Sequence, residues 1–171
     1  NDKVVANPWS VGCSGVEFHQ FVRLDKEYLD EALLKRREIP EEIPYLVERD
    51  EDHIDNVHLG GFVGEACFYL VREVRSRLPV DCTITIGATG PFVVWMDGKE
   101  MLKVEQSSAW SPLDNCFEAR FDDNPRRIIV KCLRTEDYFR FSLWFWKKDM
   151  EGDKPSGISF MLDCMGDVIQ P

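Results

Sequence analysis

The chain has no uninterrupted apolar run near the roughly 20 residues that a membrane-spanning helix requires, so no such helix is expected and no membrane partner. Asn1 to Ser10 lack the basic-then-apolar pattern of a secretion signal, and the first residue is Asn1 rather than Met, as in a processed chain or an excised segment. Histidine is scarce: only His19, His53 and His58 occur. The six cysteines, Cys13, Cys67, Cys82, Cys116, Cys132 and Cys164, include no closely spaced pair of the zinc or redox type. No glycine-rich segment lies between a strand and a helix, the context a phosphate cradle needs. Positive charge is the minority, with 21 Lys and Arg against 31 Asp and Glu, a formal net charge of -10. That field disfavours nucleic acid, whose binding depends on phosphate neutralisation. The local run Arg72, Arg75 and Arg77 reads as a solvated face.

What is present is a globular composition, 44% hydrophobic and 30% charged, over 171 residues. We read residues 1–171 as one domain, with 1–60 an N-terminal extension whose helix packs on the sandwich and 61–171 the strand-rich core. Val16 to Leu24 reads as a strand. Asp25 is placed to cap a helix reaching Arg37, because Tyr28, Leu29, Ala32, Leu33 and Arg36 recur at helical spacing. Pro44 and the acidic run Glu48 to Asp52 read as a surface crossing. From Ala66 the period becomes that of strands: Ala66 to Val74, then Cys82 to Ile86, with Ile84 and Ile86 opposite Thr83 and Thr85. Phe92 to Met96 and Lys99 to Val104 flank Asp97-Gly98, a strong hairpin signal that implies an antiparallel sheet. Cys116 to Phe121, Arg127 to Leu133, Tyr138 to Lys147 and Ile158 to Leu162 follow. The fold expected is mainly β, an antiparallel β-sandwich or jelly-roll with a short N-terminal helical segment. Cys67, Cys82 and Cys132 fall inside strands, where a free thiol acts as a small buried hydrophobe.

The segment Gly90-Pro91-Phe92-Val93-Val94-Trp95-Met96-Asp97-Gly98-Lys99-Glu100 resembles a hairpin of galactose-binding-like jelly-roll domains in carbohydrate-active enzymes. Pro125 to Lys131 and Phe139 to Leu143 resemble the closing strands of such domains, and Ala66 to Leu70 and Thr83 to Ile86 their earlier ones. The resemblance covers roughly the last hundred residues. It implies either sugar binding or the bracing of a neighbouring catalytic domain, and fold analogy alone does not choose between them.

Along the strand Tyr138 to Lys147, Phe139, Phe141, Leu143 and Phe145 share one face and read as core. Tyr138, Arg140, Ser142, Trp144 and Trp146 share the other. Three readings of this second face compete: an interface with another domain or subunit, cover by Tyr28, Leu29 and Leu33 of the N-terminal helix, or a sugar platform. Tyr138, Arg140, Trp144 and Trp146 are accordingly the candidate interface residues. Trp110 sits in a loop beside Ser107 and Ser108, with Asp114 and Asn115 further on. Trp110, Asp114 and Asn115 are the candidate ligand-binding rim, the alternative being that Trp110 folds back as a plug over the sandwich end. Trp95 reads as strand packing. No catalytic residue is nominated: Ser14-Gly15 lacks the frame of a nucleophile elbow, and the acidic residues offer no defined pair. No cofactor is expected. Asp122, Asp123 and Asn124 carry oxygens of the kind calcium takes, but an acidic turn before Pro125 is the simpler reading. His53 and His58, near Asp52 and Asp55, read as a solvated acidic loop rather than a metal site.

The function expected is that of a non-catalytic accessory domain of a carbohydrate-active protein. Its partners would be a neighbouring catalytic domain or protein subunit, with carbohydrate as a second candidate. The alternatives are a structural or assembly module and a small carbohydrate hydrolase or lyase with an acidic site. An exported polysaccharide enzyme would place the chain outside the cell, whereas six unpaired thiols would suit the cytoplasm.

Overall fold

The computed structural model describes residues 22–38, 65–135 and 139–147, together with the backbone of six short strands, 4–6, 9–13, 45–49, 53–55, 161–162 and 168–169. In chain order the strands are β1 (Val4–Ala6), β2 (Trp9–Cys13), β3 (Tyr45–Arg49), β4 (His53–Asp55), β5 (Ala66–Ser76), β6 (Val80–Ala88) and β7 (Phe92–Met96). β8 (Lys99–Val104), β9 (Asn115–Phe121), β10 (Arg126–Arg134), β11 (Arg140–Lys147), β12 (Met161–Leu162) and β13 (Val168–Ile169) complete the set, and α1 (Glu31–Lys35) is the one helix among the described residues. Seven strands form a first antiparallel sheet in the order β3-β2-β5-β10-β7-β8, with β1 also on β5. Six form a second in the order β13-β12-β11-β6-β9, with β4 also on β11. The expected antiparallel sandwich is therefore the fold.

Alternation of side chains across each strand builds the layer between the sheets. Phe68, Leu70 and Val74 of β5, Val94 of β7, and Ile128 and Val130 of β10 meet Ile84 and Ile86 of β6, and Phe141, Leu143 and Phe145 of β11. Phe68 and Phe139 bring the two sheets together with ring centroids 4.9 Å apart. Truncating a buried Phe in such a layer costs about 3–5 kcal/mol, so these rings are structural. Arg72 lies within this layer at 1% exposure, which corrects its placement on a solvated face; Arg75 and Arg77 are exposed as expected.

Asp97-Gly98 joins β7 to β8 with φ of 49° and 81°, the left-handed pair of a tight hairpin turn. The helix is shorter than its periodicity predicts, and its N-cap is Asp30, whose Oδ1 accepts from the Leu33 N–H, not Asp25. The reason lies in the sheet beneath. Tyr69 of β5 accepts at its hydroxyl from the Tyr28 N–H (3.2 Å), and Lys131 of β10 donates to the Lys26 carbonyl (2.6 Å). Residues 22–30 are thereby laid flat on the first sheet, and Val22, Leu29 and Leu34 pack on Cys67, Tyr69, Val71, Val93, Trp95, Ile129 and Leu133. Trp95 is packed in its strand, beneath the Lys35 ammonium at 4.3 Å.

Glu48 and Arg49, read from sequence as part of a surface crossing with Pro44 and the rest of the run to Asp52, belong to β3 at the edge of the first sheet, paired with β2. An edge strand has one unpaired side and tolerates the charges of Glu48 and Arg49 that suggested a loop. His53, read as lying in a loop, is in β4 opposite Ser142. Val16 to Phe21, Tyr138, His19, His58, Cys164 and Ile158 to Phe160 fall outside the described residues.

Candidate functional site

The strands from β6 to β11 alternate in direction, so the connections leaving β6, β8 and β10 emerge at one end of the sandwich. There the β6–β7 turn, the long β8–β9 loop and the segment after β10 surround a cleft of about 510 Å³. Its described lining is Thr89, Gly90, Ser107, Ser108, Ala109, Trp110, Thr135 and Arg140.

The walls are tied to one another. Ser108 N–H donates to the Thr89 carbonyl (3.1 Å), and Thr89 Oγ1 accepts from the Arg140 N–H (3.1 Å). Ser107 Oγ and Thr135 Oγ1 lie 3.2 Å apart, linking the β8–β9 loop to the end of β10. The indole of Trp110 is seated across the outer face of the second sheet. Its Nε1 donates to Ser142 Oγ (3.1 Å), and the Arg140 guanidinium stands 4.1 Å from its ring centre. Gly87 pairs directly with Ser142 in the β6–β11 ladder. A methyl at Gly87 would lie 2.9 Å from the Trp110 Nε1 and would overlap the Ser111 carbonyl, so glycine opens the seat the indole uses.

Of the ligand-binding rim expected from sequence, Trp110 lines the cleft. Asp114 is exposed on the far part of the same loop, and Asn115 opens β9 opposite Ile86; neither belongs to the described lining. Of the interface set, Arg140 joins Trp110 at the cleft, while Trp144 and Trp146 continue along the outer face of β11. Their rings meet edge to face, with centroids 6.1 Å apart and planes at 63°. Trp146 Nε1 donates to Thr85 Oγ1 (2.8 Å); Trp144 Nε1 is buried and has no hydrogen-bond partner among the described residues. The helical segment does not cover this face. Leu29 and Leu34 lie on the outer side of the other sheet, so of the three readings of this face cover by that helix does not hold.

Thr89, which sequence reading missed as a site residue, was legible only as part of a turn. The signal that points to it is topological: its turn shares an end of the sandwich with the Trp110 loop. The remaining chemical candidates are structural. Asp122 Oδ1 accepts from the N–H and Nδ2 of Asn124 (2.8 and 3.1 Å), closing a turn. No group of three or more His, Cys, Asp or Glu suited to a metal occurs among the described residues. Cys67, Cys82 and Cys132 are buried, and Cys116 is free and exposed. Burial pushes the Cys132 thiol well above its ordinary range, away from nucleophilic use. Among the described residues no helix is long and apolar enough to cross a membrane.

No family model matches the sequence, and no curated protein matches it. Solved structures do match. A β-glucosidase from Kluyveromyces marxianus, in complex with glucose, superposes with a TM-score of 0.58 at 7% identity, over 82% of this chain and 16% of the enzyme. The chain thus spans about a sixth of that protein's length. The PA14 domain of an antifreeze protein gives a TM-score of 0.58 at 10% identity, over 99% of this chain and 92% of the domain. An anti-sigma factor domain-containing protein gives 0.56 at 15% identity, over 85% of this chain and 44% of its own. At such identities the likeness is one of fold, and the fold is a β-sandwich shared with a PA14 domain and with a portion of a glycosidase.

Proposed function

We propose that this chain is a non-catalytic accessory domain of a carbohydrate-active protein, positioning a neighbouring domain and adding modest glycan affinity. The observation that carries this reading is the composition of the cleft. An indole, a guanidinium and four hydroxyl side chains converge there, and its described lining includes no Asp, Glu, His or Cys. Such a set suits a polyol, because a ring face accepts the C–H side of a pyranose while hydroxyls pair with its hydroxyls in either direction. Among the described lining residues there is no pair of carboxylates such as glycoside cleavage requires. The fold likeness to part of a β-glucosidase and to a PA14 domain supports the same reading. Asp114 and Asn115, further along the Trp110 loop, are its outer candidates for ligand contact.

The test pairs two measurements on the folded chain: retention on immobilised polysaccharides, and release of reducing ends from the same polymers. Retention without release supports an accessory role. Release that disappears on replacing a carboxylate would make the chain an enzyme and overturn it.

A second reading, assembly through the β11 face, is favoured by the half-buried Trp144–Trp146 pair and by a Trp144 Nε1 without a partner among the described residues. Tyr138 and Arg140 would flank that interface. The two readings are compatible, since the cleft and the Trp pair occupy different parts of the second sheet.

A further inference from the structure

We infer that the Trp110 cleft is one of two adjoining subsites, and that this end of the sandwich binds a glycan chain across at least two consecutive sugar units; this rests on the glycan reading above. A second cavity, of about 320 Å³, meets the first at Thr135, which lines both. Each volume is within the range of small-molecule sites.

The two cavities run side by side along the same three segments. In the β6–β7 turn, Gly90 lines the first and Pro91 the second. Where β8 ends, Lys103 and Glu105 line the second, and Ser107 and Ser108 the first. At the end of β10, Leu133 lines the second and Thr135 faces both. Two residues of extended chain span at most about 7 Å. The step from Glu105 to Ser107 is therefore short enough for neighbouring units of one glycan to enter both cavities. The Ser107 and Thr135 hydroxyls, 3.2 Å apart, mark the junction that the linkage between those units would cross.

The second cavity has a polar set of its own. Its far wall is Val22 to Asp25, from the segment laid on the first sheet. That wall is held in place, with Val22 N–H donating to Glu65 Oε2 (2.8 Å) and Arg23 N–H to Tyr28 Oη (3.0 Å). Arg23 Nε donates to Asp25 Oδ1 (2.9 Å), and across the cavity Lys103 Nζ stands 2.7 Å from Glu105 Oε1. The Asp25 carboxylate also acts on Lys103, so two cations and two carboxylates are gathered around one space, beside the apolar Pro91 and Leu133. Such a set takes hydroxyls in both directions, the carboxylates accepting and the guanidinium and ammonium donating. Exposed ion pairs contribute little to stability, so exchanging one of their contacts for a sugar hydroxyl costs the fold little. The first cavity thus offers a ring and hydroxyls and the second charge-assisted hydrogen bonds, and a linked pair of sugar units makes the second contact intramolecular.

The experiment is calorimetric titration of the 171-residue chain with D-glucose, D-galactose and D-xylose, and with the linear β-linked disaccharide of each. For at least one of these sugars the disaccharide should bind about tenfold or more tightly than the monosaccharide. Asp25→Ala and Lys103→Ala, on opposite walls of the second cavity, should each cut that ratio by about threefold, and together bring it close to one. Trp110→Phe, which keeps a ring but loses Nε1, should instead weaken monosaccharide and disaccharide alike. Circular dichroism confirms that each variant is folded, and Glu105→Gln replaces any that is not. Equal affinity for the two lengths of every sugar, or a disaccharide advantage that survives in the double variant, overturns this inference and leaves the accessory reading standing. Absence of binding to every probe overturns both the inference and the glycan part of that reading, while the partner-positioning part is tested separately at Trp144.

Discussion

Asp97 performs two tasks that its place in the hairpin only half explains. Its φ of 49° is one that Asn tolerates equally well. Its carboxylate, however, accepts from the Arg127 N–H (2.9 Å) and from Arg126 Nε (2.7 Å), fastening the β7–β8 turn to the start of β10. Asp97→Asn should keep the turn yet lower stability by about 1 kcal/mol, and Gly98→Ala, at φ 81°, by a similar amount through backbone strain. Urea midpoints of the two variants check this; an unchanged midpoint for Asp97→Asn would leave the fastening without energetic weight. Gly87 is the second informative position. It lies inside β6, where its missing side chain admits the Trp110 loop. Because the obstructing atom on Ser111 is backbone, a methyl cannot be absorbed by a rotamer change. Gly87→Ala should therefore lift the loop, shift tryptophan emission to the red and reduce glycan retention, with the sheet's circular dichroism preserved. Retained emission and retention would show that the seat is dispensable.

The strands were legible where a single rule decides them. Alternation placed Ile84, Ile86, Phe141, Leu143 and Phe145 between the sheets, and Asp97-Gly98 placed the hairpin. The helical segment was legible in kind but not in extent, because polar contacts with distant strands override its periodicity. Glu31 Oε1 accepts from both Lys131 Nζ (2.6 Å) and Tyr69 Oη (2.8 Å), a hub joining α1 to β5 and β10. No local pattern announces that a strand lysine will be 1% exposed beneath a helix. Half of the candidate site was legible for a related reason: Trp110 and Arg140 stood out as a loop ring and a cation among rings, but their meeting depends on tertiary folding. Tyr69 also supplies a pH test. Burial, foremost, and the nearby Cys67 and Glu31 raise its phenol above the ordinary 10.0. The unfolded chain releases that proton near pH 10 while the folded chain keeps it, so the associated stability is complete below that pH and declines as pH rises beyond it. Tyr69→Phe should lose roughly 1–3 kcal/mol at neutral pH by abandoning the Tyr28 N–H and Glu31. It should also show a shallower alkaline decline between about pH 9 and 11, measured by urea unfolding. An equally steep decline would assign the alkaline limb to other groups.

At the scale of the whole molecule, the two sheets differ in what lies on their outer faces. The first is covered by residues 22–38, which bury Val22, Leu29 and Leu34 against it. The second is covered by Trp110 at the Gly87–Ser142 pair, and beyond that pair it presents Trp144 and Trp146, both half-buried. Each strand of a sandwich needs one buried face, and β11 has already committed Phe141, Leu143 and Phe145 to the core. A second face rich in indole is thus surplus to folding. Among the described residues, two of its buried polar atoms, Trp144 Nε1, a donor, and Thr83 Oγ1, have no partner. A buried donor left unpaired is unfavourable by about 1–3 kcal/mol, a penalty a docked domain can relieve by offering a carbonyl. Trp144→Ser, made in the intact natural protein, should weaken docking of the neighbouring domain by about 2 kcal/mol or more, roughly 30-fold, as expected of a central aromatic anchor. Stability of the sandwich should change far less, because the inner face of β11 is untouched, and chemistry at a remote catalytic centre should survive unless docking positions it. Crosslinking or analytical ultracentrifugation of the two parts, wild type against variant, measures the association. If Trp144→Ser leaves it unchanged, or if the neighbouring domain contacts the first sheet instead, the Trp144–Trp146 pair is not the docking surface.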